Sequence, residues 1–263
     1  MTDGSLRGRT ALISGSVQGI GLAIAEAFAR AGANIALHGL ATPQQVDAAT
    51  DHIRRLGAQV RFFEGDLRDR TAIDGLMAAV WDWGGGIDIV INNAGVQKTL
   101  PFAQIDDATW DMVLSVNLTA AMATMRYALP RMAARGFGRV INIASVHGLV
   151  ASVEKGPYVA SKFGLVGLSK VAALEYACSG VTINCLCPGW TETALIEPQI
   201  QARAAAEGGD RQAGIAALLA EKQPSQRMSA PEEIAALALW LSSPLAHNVT
   251  GTAIPIDGGW TAQ

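Results

Sequence analysis

Short apolar runs alternate with longer amphipathic stretches along most of the chain. Runs of strand length, rich in Val and Ile, occur at residues 10–15, 34–38, 59–64, 87–92, 139–145, 181–186 and 252–256. Most are continuous, which is typical of strands buried on both faces. Helical patterns lie between them, at residues 20–31, 44–56, 70–81, 109–135, 158–177 and 231–241. This alternation predicts an α/β fold, with helices on both faces of a doubly wound parallel sheet of about seven strands.

The longest irregular region follows the sixth apolar run and spans residues 188–214. Its Ala- and Gln-rich patches favour helix. A long insertion at the carboxyl end of a strand is typical of a lid over a binding site, although a plain surface excursion has the same pattern. We expect a helical lid at about residues 190–222. No repeat or low-complexity linker divides the chain, so residues 1–263 are expected to form one domain.

Composition and charge narrow the classes of partner. Half of the 263 residues are apolar and 16% are charged, which is typical of an ordered globular protein. The net charge of −3 and the lack of any Lys/Arg-rich run argue against nucleic acid as a ligand. Residues 1–8 are polar, and no apolar stretch reaches the ~18 residues of a membrane span. We therefore expect a cytoplasmic protein without membrane contact.

The cysteines bear on redox state and metal binding. There are three, Cys178, Cys185 and Cys187, which is an odd and sparse set for a disulfide framework. A metal site needs more soft ligands than these supply. Reduced thiols in a small-residue core and no bound metal are expected.

A glycine-rich loop joins the first predicted strand to the first helix. It reads Ser14-Gly15-Ser16-Val17-Gln18-Gly19-Ile20-Gly21. Glycine permits a tight turn and close approach of the backbone, and a helix N-terminus offers free N–H groups to phosphate. Three glycines also occur in ordinary turns, so the position between strand and helix carries the argument. The residues expected to contact a cofactor here are Gly15, Ser16, Gln18, Gly19, Ile20 and Gly21.

In dinucleotide-binding α/β folds, the residue at the end of the second strand distinguishes NAD from NADP. An acid there binds the ribose 2′-OH of NAD, and an arginine binds the 2′-phosphate of NADP. The chain has His38-Gly39-Leu40, which is neither, and residues 16–18 also lack a base. Since a 2′-phosphate would find no cation among these residues, the sequence favours NAD.

Ser145, Tyr158 and Lys162 form the constellation with the clearest chemistry. Tyr158 and Lys162 are four residues apart on a predicted helix, so both side chains project from one face. Ser145 ends the preceding strand, thirteen residues before Tyr158. A free tyrosine has a pKa of ~10 and needs a shift of ~2–3 units to act as acid or base near neutral pH. A lysine ammonium and a nicotinamide cation both favour the phenolate and lower that pKa.

These motifs, with Asn92-Asn93-Ala94-Gly95 after the fourth strand, resemble those of short-chain dehydrogenases/reductases over nearly the whole chain. The glycine spacing is G-x-x-x-G-x-G, as in that family, and differs from the more general G-x-G-x-x-G. Ser14 stands where the family has Thr. The resemblance implies a Rossmann-type oxidoreductase that uses a nicotinamide cofactor, and usually a homotetramer.

The resemblance also implies roles for individual residues. Tyr158 would transfer a proton to or from the substrate oxygen, Ser145 would hydrogen-bond that oxygen, and Lys162 would hold the nicotinamide ribose. Asn117 matches the family's fourth catalytic position and would hold a water linking Lys162 to solvent. The further cofactor contacts implied are Asp66, Leu67, Asn93, Ala94, Gly95, Pro188, Gly189 and Thr193. Asp66 has a second interpretation, as a helix N-cap.

Four polar residues point to the substrate. Gln97, His147, Lys155 and Gln199 all lie on segments that converge at the carboxyl ends of the strands, where open α/β sheets bind ligands. One cation and several neutral donors form a receptor for a carboxylate. Each of them alone is more often an ordinary surface or loop residue, so their joint placement carries the prediction.

Less general stretches resemble the branch of the family that acts on (R)-3-hydroxybutyrate. They are residues 142–151, Cys187-Pro188-Gly189-Trp190, Leu219-Ala220-Glu221-Lys222-Gln223-Pro224 and residues 257–263. This resemblance implies reversible oxidation of that acid to acetoacetate, with Trp190 or Trp260 packed on its methyl end. Trp260 has an alternative place, at a subunit contact. Another hydroxy acid, a 3-oxoacyl thioester or a polyol is the alternative substrate, and a catalytically silent nucleotide-binding protein is the remote alternative.

Overall fold

A parallel sheet of seven strands forms the centre of the computed structural model, which describes residues 4–262. The strands are Thr10–Ser14 (β1), Asn34–Gly39 (β2), Val60–Glu64 (β3), Ile89–Asn92 (β4), Gly138–Ile143 (β5), Val181–Pro188 (β6) and Ala253–Ile256 (β7). Their order, β3-β2-β1-β4-β5-β6-β7, is that of a Rossmann-type sheet. The predicted fold class is confirmed; residues 1–3 and 263 of the predicted domain lie outside the described part.

Helices cover both faces of the sheet. They are Gly19–Arg30 (α1), Pro43–Arg55 (α2), Arg70–Gly84 (α3), Asp107–Leu114 (α4), Ala120–Ala134 (α5), Gly156–Glu175 (α6), Glu197–Ala206 (α7), Arg211–Lys222 (α8) and Pro231–Ser242 (α9). Alternate strand residues supply two cores, because successive side chains point to opposite faces. Ala11 and Ile13 join the core under α1, α2 and α9, whereas Leu12 joins the core under α3, α5 and α6.

The predicted helix over residues 109–135 is wrong as one continuous α-helix. The structure has α4 and α5 separated by a π-helical stretch, Ser115–Thr119. The stretch is five residues long, which is too short for the spacing of apolar residues to distinguish it from α-helix. Asn117 lies at its centre and is buried.

The strand order places a crevice at one edge of the sheet. β1 pairs with β2 on one side and with β4 on the other, so the winding direction reverses there. Ligands of open α/β sheets bind outside the carboxyl ends of the strands at such a point. The helical insertion, residues 191–222, follows β6 at this same edge and contains α7 and α8. Within residues 4–262, no helix combines the length and apolar character needed to cross a membrane.

Candidate active site

A cavity of about 720 Å³ lies at the carboxyl ends of the strands. The loops after β1 to β6, helix α6 and the helical insertion form its wall. The predicted site residues that line it are Gly15, Gln18, Gly19, Ile20, Asp66, Leu67, Asn93, Ala94, Gly95, Gln97, Ser145, His147, Tyr158, Lys162, Pro188, Gly189, Trp190, Thr193, Gln199 and Trp260. The predicted residues Ser16, Gly21, Asn117 and Lys155 do not line it. Most of the site residues predicted from the sequence therefore line one cavity.

The glycine-rich loop adopts a conformation that requires glycine. Gly15 and Gly19 have φ angles of 63° and 56°, in the left-handed region that other residues rarely adopt. A β-carbon at Gly21 would overlap the Gly15 carbonyl oxygen, so Gly21 serves the close packing of α1 against the loop. Ser16 is fully buried, and its hydroxyl accepts a hydrogen bond from the His38 amide at 3.0 Å. The Ser16 hydroxyl is thus engaged with β2, and the expected contact of Ser16 with a cofactor stays a prediction.

Asn93 fixes the shape of this loop. Its Nδ2 donates to the carbonyl oxygens of Ser14 and Gly15, both at 2.9 Å. In return, the Ser14 hydroxyl accepts from the amides of Asn93 and Ala94, both at 3.0 Å. These four bonds tie the ends of β1 and β4 together across the crevice. Ser14 can replace the Thr of the family because only the hydroxyl is used.

One end of the cavity carries a cation that the sequence analysis missed. Arg68 lines the wall next to His38 and Leu40, and its guanidinium pairs with the Asp66 carboxylate. Its Nε lies 2.9 Å from Asp66 Oδ2, and this pairing holds the pKa of Asp66 below its usual value. A cation therefore lines this end of the cavity, which residues 16–18 and 38–40 do not reveal because Arg68 lies after β3.

The other end of the cavity brings together Ser145, Tyr158 and Lys162. Tyr158 and Lys162 lie on the buried face of α6, and Ser145 follows β5. Lys162 Nζ donates to the Ile143 carbonyl oxygen at 2.8 Å and stands 5.5 Å from the centroid of the Tyr158 ring. Burial raises the pKa of Tyr158 to about 12, and the Ser145 hydroxyl offsets part of that rise. Burial also lowers the pKa of Lys162 to about 8.

The expected lowering of the Tyr158 pKa requires a lysine ammonium and a nicotinamide cation together. In the protein chain alone, the loss of hydration is the largest influence and raises that pKa, because a buried phenolate is poorly solvated. Lys162 donates one of its N–H groups to the Ile143 carbonyl oxygen, and this bond holds the ammonium beside the Tyr158 ring.

Asn117 holds the loop after β4 by its side chain. Its Oδ1 accepts from the Val96 amide at 2.8 Å, and its Nδ2 donates to the Val96 carbonyl at 2.9 Å. The same Nδ2 donates to Ser161 Oγ at 3.1 Å, so the amide links this loop to α6.

Lys155 and Gln199 meet across the cavity rim. Lys155 Nζ donates to Gln199 Oε1 at 2.9 Å and to Thr99 Oγ1 at 3.1 Å. Lys155 is at the N-cap of α6 and Gln199 is on α7, so this bond joins the helical insertion to the rest of the site. Burial lowers the pKa of Lys155 to about 8, while nearby Glu154 opposes the shift.

Three aromatic side chains, His147, Trp190 and Trp260, line the cavity together with Ser145 and Tyr158. The His147 ring meets the rings of Tyr158 and Trp260 edge to face, with centroids 6.0 Å and 5.5 Å away. The Trp190 ring centroid lies 5.5 Å from that of Trp260. Burial lowers the pKa of His147 to about 4, so the ring is neutral at ordinary pH. Its Nδ1 is 3.4 Å from the Val150 carbonyl oxygen, an acceptor, so Nδ1 carries the proton and Nε2 accepts.

The family model described as enoyl-(acyl carrier protein) reductase matches residues 15–261. The chain is 44% identical to a D-beta-hydroxybutyrate dehydrogenase of Cupriavidus necator, over 98% of this chain and 100% of that one. A protein of the same name from Rhizobium meliloti is also 44% identical, over 97% of this chain and 99% of its own. The crystal structure of L-sorbose reductase from Gluconobacter frateurii, complexed with NADPH and L-sorbose, superposes with a TM-score of 0.94 at 30% identity. That alignment covers 100% of both chains.

Matches of this extent do more than show a shared fold, because sequence identity and family motifs run together along nearly the whole length. The chain therefore belongs to the short-chain dehydrogenase/reductase family and is an oxidoreductase.

Proposed function

We propose that the protein catalyses (R)-3-hydroxybutyrate + NAD⁺ ⇌ acetoacetate + NADH + H⁺. One observation carries the proposal. Tyr158, Ser145 and Gln199 line one cavity, and Lys155 donates to Gln199 Oε1, so an alcohol would fit at the Tyr158–Ser145 pair and a carboxylate of the same small molecule at the Lys155–Gln199 pair. The names of the two bacterial relatives support the same substrate, since D and R denote one configuration of this acid.

The residues of the cavity fit a nicotinamide dinucleotide. The positive φ angles of Gly15 and Gly19 open a cradle at the N-terminus of α1, where backbone N–H groups and the helix dipole favour pyrophosphate. Asp66 and Leu67 would hold the adenine, and Lys162 would hold the nicotinamide ribose. Pro188, Gly189 and Thr193 would flank the nicotinamide. When bound, the cofactor supplies the hydride acceptor for oxidation and the hydride donor for reduction.

Tyr158 acts in this proposal as the general acid and base. In oxidation its phenolate oxygen accepts the proton of the substrate hydroxyl, and Ser145 donates a hydrogen bond to the substrate oxygen. Because the pKa of the buried Tyr158 phenol is about 12, little phenolate forms near neutral pH. Positive charge beside the ring is therefore required, and the Lys162 ammonium supplies part of it.

Lys155 and Gln199 bind the carboxylate in this proposal. Lys155 has three N–H groups and gives two of them to Thr99 and Gln199, so one remains for the ligand. Because the Gln199 oxygen accepts from Lys155, the amide Nε2 is left as a donor. Gln97 adds a further polar group to the wall. His147 binds through its ring edge and an acceptor nitrogen, which makes it a poorer partner for a carboxylate than expected.

The aromatic wall favours a short acid. The rings of Trp190 and Trp260 contact each other at a tilt of 40° in the cavity wall, and a methyl group would pack against them. We also propose that the helical insertion is the lid predicted at about residues 190–222. It bears Gln199, so its closure brings the carboxylate receptor together and excludes water.

The wider context of the enzyme is part of the proposal. We propose a homotetramer, since large apolar residues on α4 and α6 are exposed on the single chain, including Trp110, Phe163, Val171 and Leu174. We propose a cytoplasmic location, which suits the three free thiols. NAD is proposed over NADP because Arg68 is already paired with Asp66.

The test is NADH formation from (R)- and (S)-3-hydroxybutyrate, repeated with NADP⁺. Turnover of the R acid with NAD⁺ supports the substrate, the stereochemistry and the cofactor together. Activity on a longer hydroxy acid, a thioester or a polyol, and none on either 3-hydroxybutyrate, would refute the substrate and leave the Tyr158 chemistry. A preference for NADP⁺ would refute the cofactor assignment alone.

A further inference from the structure

Gln223 is a buried polar residue that the proposed chemistry does not use. It belongs to the Lys222-Gln223-Pro224 stretch, directly after α8, and only 1% of its surface is exposed. Its Oε1 accepts a hydrogen bond from the Trp190 amide at 3.0 Å, and its Nε2 donates to the Arg227 carbonyl oxygen. Both ends of the amide are therefore committed to backbone groups on two different segments.

Three segments that are remote in sequence meet at this side chain. A β-carbon at Gly189 would lie 2.7 Å from Gln223 Oε1 and 2.9 Å from the Cα of Asp257. A β-carbon at Gly258 would lie 2.8 Å from Gln223 Cγ. The lack of side chains at these two glycines thus makes room for Gln223. In sequence, Gly189 directly precedes Trp190, and Gly258 lies two residues before Trp260.

The same contact closes the base of the helical insertion. Trp190 precedes the insertion and Gln223 follows it, so their hydrogen bond joins its two ends. A short ladder continues this closure. The Ser229 amide donates to the Trp190 carbonyl at 2.9 Å, and the Glu192 amide donates to the Ser229 carbonyl at 3.1 Å.

We propose that Gln223 is a positioning residue that clamps the base of the helical insertion and fixes Trp190 against Trp260. The inference rests on the proposed function for its effect on substrate choice. Glutamine suits the place because it offers an acceptor and a donor at the two ends of one rigid group. The amide of Gln223 pairs with both the Trp190 N–H and the Arg227 carbonyl, and a hydrocarbon of the same length would leave the Trp190 N–H unpaired and the Arg227 carbonyl with only the Ser225 hydroxyl at 3.5 Å.

The experiment compares Gln223→Met with Gln212→Met. Methionine keeps the length and bulk of glutamine and lacks its polar atoms, and Gln212 is exposed on α8 of the same insertion. For Gln223→Met we expect amide hydrogen exchange in residues 191–222 to accelerate about 10-fold or more. We expect KM for (R)-3-hydroxybutyrate to rise by a similar factor, with kcat within about 3-fold of the parent and NADH affinity unchanged. The preference over 3-hydroxypentanoate should fall, because the Trp190 ring is no longer fixed.

The proposal would be overturned if amide hydrogen exchange and KM in Gln223→Met equalled those in Gln212→Met. It would also be overturned if Gln223→Met lost NADH affinity and kcat by as much as KM rises. Exchange is measured without substrate, so it tests the clamp even if wild-type protein turns over no 3-hydroxy acid, an outcome that would refute the proposed function instead. Should Gln223→Met not fold, Gln223→Glu keeps the acceptor for Trp190 and loses the donor to Arg227. We then expect faster exchange in the insertion, and unchanged exchange overturns the proposal.

Discussion

Lys155 donates a hydrogen bond to the amide oxygen of Gln199 at 2.9 Å, although 44 residues separate them in sequence. The bond holds the helical insertion against the N-terminus of α6, and it directs the free end of the Gln199 amide into the cavity. The charge of Lys155 is sensitive to pH, because burial lowers its pKa to about 8. The carboxylate receptor is therefore expected to lose its cation within a measurable pH range.

We predict that carboxylate binding weakens above about pH 8. Below that value Lys155 is charged; as the pH rises through its pKa, the ammonium is lost and affinity falls ~10-fold per further pH unit. The inhibition constant of acetate against the hydroxy acid, measured from about pH 6 to 10, tests this. No break is expected near pH 6, since His147 has a pKa of about 4.

Two lysine variants separate this effect from general alkaline damage. Lys155→Met should bind acetate weakly at every pH, whereas Lys170→Met, an exposed residue of α6, should keep the parent profile. An unchanged profile in Lys155→Met would show that another group carries the pH dependence.

Tyr158→Phe should abolish most turnover and leave binding intact. Loss of the general acid and base lowers kcat by ~10²–10⁴-fold. NADH affinity, followed by fluorescence, should change little, because the ring and its contact with His147 remain. Tyr127→Phe, on α5 against Trp81, is the matched control. Turnover of Tyr158→Phe within a few fold of the parent would remove Tyr158 from proton transfer.

Asp66→Asn should alter the choice of cofactor. The change releases the Arg68 guanidinium from its partner at the adenosine end of the cavity. We expect the ratio of NADPH to NADH dissociation constants to fall roughly 5-fold, as befits an exposed cation. The variant Asp51→Asn breaks a similar acid–arginine pair on α2 and should leave the ratio unchanged. A ratio equal to that of the parent would show that Arg68 does not reach the 2′-phosphate.

Gly214→Ala tests whether the helical insertion belongs to the substrate site. A β-carbon there would lie 2.7 Å from the Ala204 amide nitrogen and 2.8 Å from the Ile200 carbonyl oxygen, so α7 and α8 must separate. Because Gln199 lies on α7, it would move together with that helix. We expect KM for (R)-3-hydroxybutyrate to rise about 10-fold and NADH affinity to stay unchanged. Gly75→Ala, with no described atom within 4 Å of its added carbon, is the control. Equal KM values in the two variants would dissociate the insertion from substrate binding.

The sequence was most informative where a local pattern has one structural solution. The strands β1, β2, β4, β5 and β6 are buried along nearly their whole length and read as largely apolar runs, whereas the edge strands β3 and β7 are partly exposed. The pattern nevertheless predicts all seven. The loop from Ser14 to Gly21 and the Tyr158–Lys162 pair were recognisable because turn geometry and helix spacing fix their residues. Their assembly around one cavity followed from the strand order.

The residues that escaped prediction act through contacts between distant segments. Arg68 reaches the cavity only because β3 lies next to β2 in the sheet. Gln223 touches the Trp190 backbone only because the helical insertion returns to its starting point. The pKa of Tyr158 depends on burial, which the spacing of motifs does not reveal.

The π-helical stretch at Ser115–Thr119 also bears on how this chain tolerates deletions. A π-helical turn contains one residue more than an α-helical turn of the same span. Deleting one residue there would let α4 and α5 merge into a continuous helix, rotating every earlier position by about 100° and moving it about 1.5 Å along the axis. Asn117 would then lose its hydrogen bonds to Val96 and the buried side of α4 would turn away from its neighbours, so we expect this segment to tolerate no change in length.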